Sequence, residues 1–265
     1  MELRGKSVLL TGATGGLGRA IAEVLAARGA RLVLSSRKGE ELANLAESLP
    51  GDGHRTIVAD LAEEGAAERV AREAGAVDVL VANAALPAGG RLERFTQEDL
   101  TRALRVNLEA PVKMARELTP GMRERGSGQL VFISSLQGKV AFPHSSVYTA
   151  TKFALRGFAL ALRDELRPAG VGVSVVLPGF IRDAGMFAAS GARAPAGLGT
   201  SSPEEVGEGV ATAIERDRAE VEVAPLLQRL GAAFAHRRPH LAARVTSRRA
   251  GRVAERVHEG QVGER

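Results

Sequence analysis

TGATGGLGRAIA, residues 11–22, follows the short apolar run SVLLT and leads into a stretch with helical periodicity. Its glycines stand at 12, 15, 16 and 18. Glycine adopts left-handed dihedrals without steric cost and lets a backbone approach a ligand closely. The first turn of a helix supplies unpaired N–H groups and the positive end of the helix dipole. A strand, then a glycine turn, then a helix is therefore the setting in which such spacing points to a dinucleotide pyrophosphate. Any tight strand-to-helix connection can use glycine, so the flanks carry the argument.

Working outward, RLVLS, TIVA, DVLVA, QLVFIS, GVSVVLP and EVEVA read as further strands, separated by amphipathic stretches with apolar residues on one side. Strands that alternate with helices imply a parallel sheet covered on both faces. The expected fold is α/β, a Rossmann-like doubly wound sheet of about seven strands over residues 1–225. Residues 226–265 read as a basic, partly helical extension with breaks at Gly231, Pro239 and Gly251. Residues 184–202 are small and weakly patterned, as a functional lid or a disordered segment often is.

Composition narrows the class. Hydrophobic residues make up 45% of the chain but aromatics only 3%, so the core must be aliphatic. The absence of cysteine rules out disulfides and thiolate chemistry. The N-terminus runs directly into a strand without a signal-like segment, and no apolar run is long enough to span a bilayer, so a cytoplasmic protein is expected. The formal net charge is +5, yet the stretch from Arg229 to Arg256 alone carries +7 and residues 1–228 only −1. A nucleic-acid enzyme needs a basic face within its fold, and this body offers none. The tail reads as a solvated helical face, a subunit contact or a peripheral contact with anionic membrane. Pro239, between His236 and His240, breaks the helix that a metal pair would need, and no metal is assigned.

The second strand discriminates between cofactors. A fold that prefers NAD usually ends this strand with an acid for the ribose 2′-hydroxyl. Here it ends Ser35-Ser36-Arg37-Lys38. Arg37 offers a planar fork suited to phosphate oxygens, which favours NADP(H) and leaves NAD(H) open. A solvated basic turn is the other reading. Asp60 and Asn83 close the third and fourth strands, where open α/β sheets bind ligands. Asp60 can equally cap the helix expected from Leu61.

SSVYTATKFAL, residues 145–155, holds the only tyrosine and one of five lysines. Tyr148 and Lys152 are spaced i, i+4 and share one helix face. A cation about 4 Å away is worth roughly 4 kcal/mol at an effective dielectric near 20. That would draw a phenol down from about 10 towards neutrality and make an acid/base of it. Thirteen residues before Tyr148, Ser135 ends a strand, where its hydroxyl can bond a substrate carbonyl beside the phenol.

Taken together these motifs resemble the short-chain dehydrogenase/reductase family over nearly residues 5–225. TGATGGLG is similar to its TGxxxGxG turn, Ser135 to its catalytic serine and Tyr148-x-x-x-Lys152 to its YxxxK pair. Asn107 in RVNLEA matches its helix asparagine, Pro178-Gly179 its PG turn, and Arg37 the basic residue of its NADP-preferring branch. The resemblance implies carbonyl–alcohol interconversion by hydride transfer on a small-molecule substrate, and the apolar residues of the 184–202 stretch favour a mostly apolar one. Tyr148 would be the acid/base, Lys152 would hold the ribose and lower the phenol, Ser135 would polarise the carbonyl and Asn107 would position a water. It implies cofactor contacts at Gly12, Thr14, Gly16, Leu17, Gly18, Ser36, Arg37, Asp60, Leu61, Asn83, Ala84, Pro178, Gly179 and Ile181, with Tyr148 and Lys152. It also implies a homodimer or homotetramer, and a substrate-binding loop at 184–202, where Met186, Phe187 and Leu198 could line an apolar pocket with Arg182 and Arg193 nearby; a flexible surface loop with incidental apolar residues is the other reading.

Two departures stand out. The family's NNAG reads Ala82-Asn83-Ala84-Ala85, and Asp183 stands where a threonine is common, although a carboxylate cannot donate unless protonated. A silent NADP(H) sensor or scaffold on the same fold is the alternative. Such a protein can lose the tetrad, whereas all four positions are filled here.

Overall fold

Each of the apolar runs becomes a strand, and together they form one sheet. The computed structural model describes residues 1–191, 194–195 and 197–242. Its strands are β1 (Ser7–Thr11), β2 (Arg31–Ser36), β3 (Arg55–Val58), β4 (Val79–Ala82), β5 (Gly128–Ile133), β6 (Val171–Pro178) and β7 (Glu220–Val223). They lie in the order β3-β2-β1-β4-β5-β6-β7 with every pair parallel. The winding reverses between β1 and β4. A crevice opens at such a reversal beyond the carboxyl ends of the strands.

The helices are α1 (Gly16–Ala27), α2 (Gly39–Ser48), α3 (Ala66–Ala74), α4 (Gln97–Leu104), α5 (Ala110–Glu124), α6 (Ser146–Leu166), α7 (Gly185–Ala189), α8 (Pro203–Glu215) and α9 (Leu226–Arg237). Strand periodicity divides the core into two layers. Val8 and Leu10 of β1 pack with Ile21 and Leu25 of α1, Leu45 of α2 and Val210 of α8. Leu9, between them, joins Val70 of α3, Met114 of α5 and Leu155 of α6 on the other face. All of these side chains are fully or almost fully buried. Helix starts follow local chemistry as well: Ser202 and Glu205 form a reciprocal capping box at α8, ahead of Pro203 at its first position.

Three features depart from the pattern in the sequence. Between α4 and α5 the chain does not break but widens into a π-helical turn, Arg105–Glu109. Gly231 does not interrupt the extension, because α9 passes through it to Arg237, before Pro239. A single glycine costs a helix only about 1 kcal/mol, and the packing of α9 outweighs that. The two ends of the 184–202 stretch carry regular structure that its composition does not suggest: α7 forms at its start, and Ser201 pairs with Ile181 in an isolated parallel bridge. Arg193 and the expected break at Gly251 lie outside the described residues. Among the described residues no helix is long and apolar enough to cross a membrane.

Candidate active site

The crevice is assembled from strand ends. At the end of β1, Gly12 has φ +65°, and a Cβ there would stand 2.8 Å from the Cα of Ala84. Only glycine lets β1 turn so close to the chain leaving β4. Asn83 fastens the same two strands: its Nδ2 donates to the carbonyls of Thr11 at 3.0 Å and Gly12 at 3.2 Å. The Thr11 hydroxyl accepts from the N–H groups of Asn83 and Ala84. The result is a pre-formed concave turn at the start of α1, with Gly16, Leu17 and Gly18 in its first residues. Such a cradle fits a pyrophosphate, which needs close backbone approach and unpaired N–H groups.

At the end of β2 the Thr14 and Ser36 hydroxyls lie 2.6 Å apart. Arg37 is half-exposed beside them, its Nη1 3.7 Å from Asp60 Oδ2. Asp60 Oδ1 accepts from the Ala62 N–H at 2.9 Å, so this carboxylate caps the chain after β3 and faces Arg37 at once. Leu61 is buried in the core.

Beyond β5, α6 presents Tyr148 and Lys152 from consecutive turns. Lys152 is 3% exposed, and its Nζ donates to the Ile133 carbonyl at 2.9 Å while lying 5.5 Å from the centre of the Tyr148 ring. The Ser134 hydroxyl donates to the backbone carbonyl of Lys152 at 2.9 Å, so the end of β5 grips this turn of α6 twice. Burial alone pushes the lysine down to about 8. The phenol moves the other way. Burial drives Tyr148 up to about 12, and the Ser135 hydroxyl pulls it only partly back. The lysine therefore does not set the phenol's pKa in this arrangement, contrary to the expectation from spacing. Loss of hydration at Tyr148 is the largest cause of its shift, and the ammonium is engaged with the Ile133 carbonyl instead.

Ser135 accepts from the Gln137 N–H at 3.1 Å and donates to the Pro178 carbonyl at 3.4 Å, joining the ends of β5 and β6. Asn107 is buried in the π turn. Its Oδ1 accepts from the Leu86 N–H at 2.7 Å and its Nδ2 donates to the Leu86 carbonyl at 3.0 Å. Single π turns recur at functional sites because they re-aim one side chain within a helix.

Against known proteins, residues 6–194 match the model of the short chain dehydrogenase family. The chain belongs to the short chain dehydrogenase family. It is 37% identical over 227 residues to a ketoacyl reductase of Nostoc sp., covering 83% of this chain and 79% of that one. It is 38% identical over 189 residues to dehydrogenase/reductase SDR family member 7B of Mus musculus, covering 68% of this chain and 58% of that one. Among solved structures it is similar to a short-chain dehydrogenase from Sphingobium yanoikuyae in complex with NADPH. The TM-score is 0.77 at 28% identity, covering 89% of this chain and 95% of that one. Members of this family are oxidoreductases that act on CH–OH and carbonyl groups with NAD(P).

In this short chain dehydrogenase the loop after β6 packs onto the glycine turn. A Cβ at Gly16 would meet the Cβ of Ala184 at 2.5 Å. Ile181 is buried, and Asp183 takes a left-handed φ of 64° with an exposed carboxylate 3.3 Å from Arg182 Nε. Phe187 meets Phe180 with ring centres 4.8 Å apart. Pro178 closes β6, and the Gly179 N–H donates to Val223 at 3.0 Å.

Sequence reasoning missed Gln228. It is buried on α9, accepts from the Phe180 N–H at 3.1 Å, and donates to the carbonyls of Gly199 at 2.8 Å and Leu198 at 3.3 Å. One amide thus ties both ends of the loop to the extension. The signal was faint: a lone glutamine among Leu, Ala and Arg at the start of a helix.

Proposed function

We propose that this chain is an NADPH-dependent reductase of ketones or aldehydes, with Tyr148 as the proton donor and a mostly apolar substrate. The observation that carries the reading is the meeting of the Tyr148 phenol, the Ser135 hydroxyl and the buried Lys152 ammonium at the carboxyl end of β5, with the glycine turn at the same end of β1 across β4. When bound, the cofactor supplies a hydride. The residues of this chain do the rest. A phenol held near 12 keeps its proton throughout the physiological range, and so stands ready to protonate a carbonyl oxygen. Ser135, beside the phenol, would orient and polarise the carbonyl. Lys152 would hold ribose hydroxyls by its ammonium, and Asn107 would steady the turn that faces the substrate through Leu86. Arg37, with Ser36 and Thr14, would receive the 2′-phosphate, its fork turning from Asp60 to a doubly charged partner.

The aromatic pair Phe180–Phe187 supports an apolar substrate. The test is NADPH oxidation against ketones, aldehydes, β-ketoacyl thioesters, steroids and quinones, with Tyr148→Phe as control. Turnover that vanishes in the variant supports the reading. Turnover that survives it removes Tyr148 as the proton donor.

A further inference from the structure

Helix α9 is packed with its weaker side inward. It buries Gln228, Ala232 and Ala235, and leaves Leu226, Leu227, Leu230 and Phe234 between 50% and 64% exposed. Leu241, in the turn after Pro239, is exposed as well. Among the described residues, five of the nine exposed large apolar side chains lie in this one segment. Leu227, Leu230 and Phe234 follow the 3,4 spacing of a single helical face. A contiguous apolar face turned to water marks a contact surface. Its charge has one sign: residues 226–242 hold Arg229, Arg237 and Arg238 and no acid, and the sequence from there to residue 254 adds four more arginines and no acid.

That combination selects the occupant. A second copy of the chain would bring two acid-free, arginine-rich segments together, and like charges across an interface are costly. The chain's own residues 243–265 offer four valines as their only large apolar side chains, too few to cover leucines and a phenylalanine. An anionic bilayer satisfies both features, since it takes apolar side chains into its acyl boundary and arginines at its phosphates. We infer that α9, with Arg237 and Arg238 at its end, docks the protein on anionic lipid surfaces. The helix is braced for this from below, where Arg229 Nε donates to Glu222 Oε2 at 2.9 Å. Through Pro225, which lies against Gly199, and through Gln228, the docked helix would set the substrate loop at the bilayer surface. This last consequence rests on the reductase reading; the docking itself does not.

The full chain is floated with vesicles of phosphatidylcholine alone and of phosphatidylcholine mixed with phosphatidylglycerol, at low and high salt. Binding is expected to the mixed vesicles and to weaken as salt screens the arginines. Leu227→Ser/Leu230→Ser/Phe234→Ser and, separately, Arg237→Glu/Arg238→Glu should each weaken it about tenfold or more. Thermal melting confirms that both variants fold, as exposed substitutions should allow. The inference is overturned if the folded protein does not float with the anionic vesicles, or if the apolar variant floats as well as the wild type. It is equally overturned if the apolar variant elutes as a smaller assembly than the wild type, which would make the stripe a contact between copies. None of these readouts uses turnover, so they stand apart from the test of the reductase.

Discussion

The Lys152 ammonium sits 5.5 Å from the centre of the Tyr148 ring, yet its hydrogen bond runs to the Ile133 carbonyl. A buried lysine lies beside a half-buried tyrosine, and loss of hydration shifts them in opposite directions, the lysine down to about 8 and the phenol up to about 12. In the unfolded chain the lysine holds its proton until about 10.4 and the tyrosine until about 10. Below pH 8 the folded protein bears the full cost of a buried ammonium. As pH rises from about 8 to 10, the unfolded state binds more protons than the folded one, and stability rises. Above about 10 the phenol reverses the trend, because the folded state then retains a proton that the unfolded state has lost. Lys152→Met removes the first arm alone. Between pH 7 and 10, wild-type unfolding free energy should gain on that of Lys152→Met by about 1–3 kcal/mol. Denaturant titrations across this range check it, and parallel curves would show that burial does not perturb the lysine.

Tyr148→Phe removes one hydroxyl from a half-buried ring and leaves the glycine cradle intact. Loss of a positioned proton donor costs about 100- to 10,000-fold in rate. Turnover should fall by that amount while NADPH binding, followed by fluorescence, stays within about threefold of wild type. A parallel collapse of binding and turnover would make the phenol part of the cofactor site instead.

The strands were legible because a parallel sheet buried on both faces leaves continuous apolar runs between polar turns, and each of the runs read from the sequence forms a strand. The neighbourhood of Ser135, Tyr148 and Lys152 was legible because helical spacing and a strand end bring these three side chains to the carboxyl end of β5. What escaped were properties set by surroundings rather than by order along the chain. Spacing placed Lys152 near Tyr148, but could not show that burial would dominate the phenol's pKa, or that the ammonium would bond Ile133. The π turn at Asn107 left no mark that distinguishes it from an ordinary helix. Gln228 carries its role in contacts to residues 29, 30 and 48 positions away.

Arg37 is half-exposed and only loosely paired with Asp60, at 3.7 Å. Arg37→Ala should therefore leave folding within about 0.5 kcal/mol of wild type. If it receives a 2′-phosphate, NADPH binding should weaken about tenfold or more, since a charge-assisted contact to phosphate is lost. NADH, which lacks that phosphate, should change little. Comparable losses for both cofactors would sink the assignment of Arg37 to the 2′-phosphate.

Gln228 bonds the backbone on both sides of the loop that packs over the glycine turn, so its removal should loosen that loop without touching the tetrad. Gln228→Leu keeps much of the volume but strands a buried N–H at Phe180 and the carbonyls at Leu198 and Gly199. Each stranded group costs about 1–3 kcal/mol when it stays dry. The cheaper response is for the loop to open to water, because loops sit at the low end of local stability. Hydrogen exchange at the Phe180 amide should then accelerate, while the amides of β1 and β5 keep their protection. Gln228→Glu tests the same clamp with an acceptor retained: the Phe180 bond survives, while the two donated bonds are lost and a carboxylate faces two carbonyls. Exchange should therefore rise around Leu198 and Gly199 more than at Phe180. In steady-state kinetics the looser loop should raise KM for the carbonyl substrate more than it lowers kcat, since positioning is disturbed and the proton donor is not. Unchanged exchange across residues 180–199 in Gln228→Leu would mean that the loop is held by its other contacts and that the glutamine only fills space.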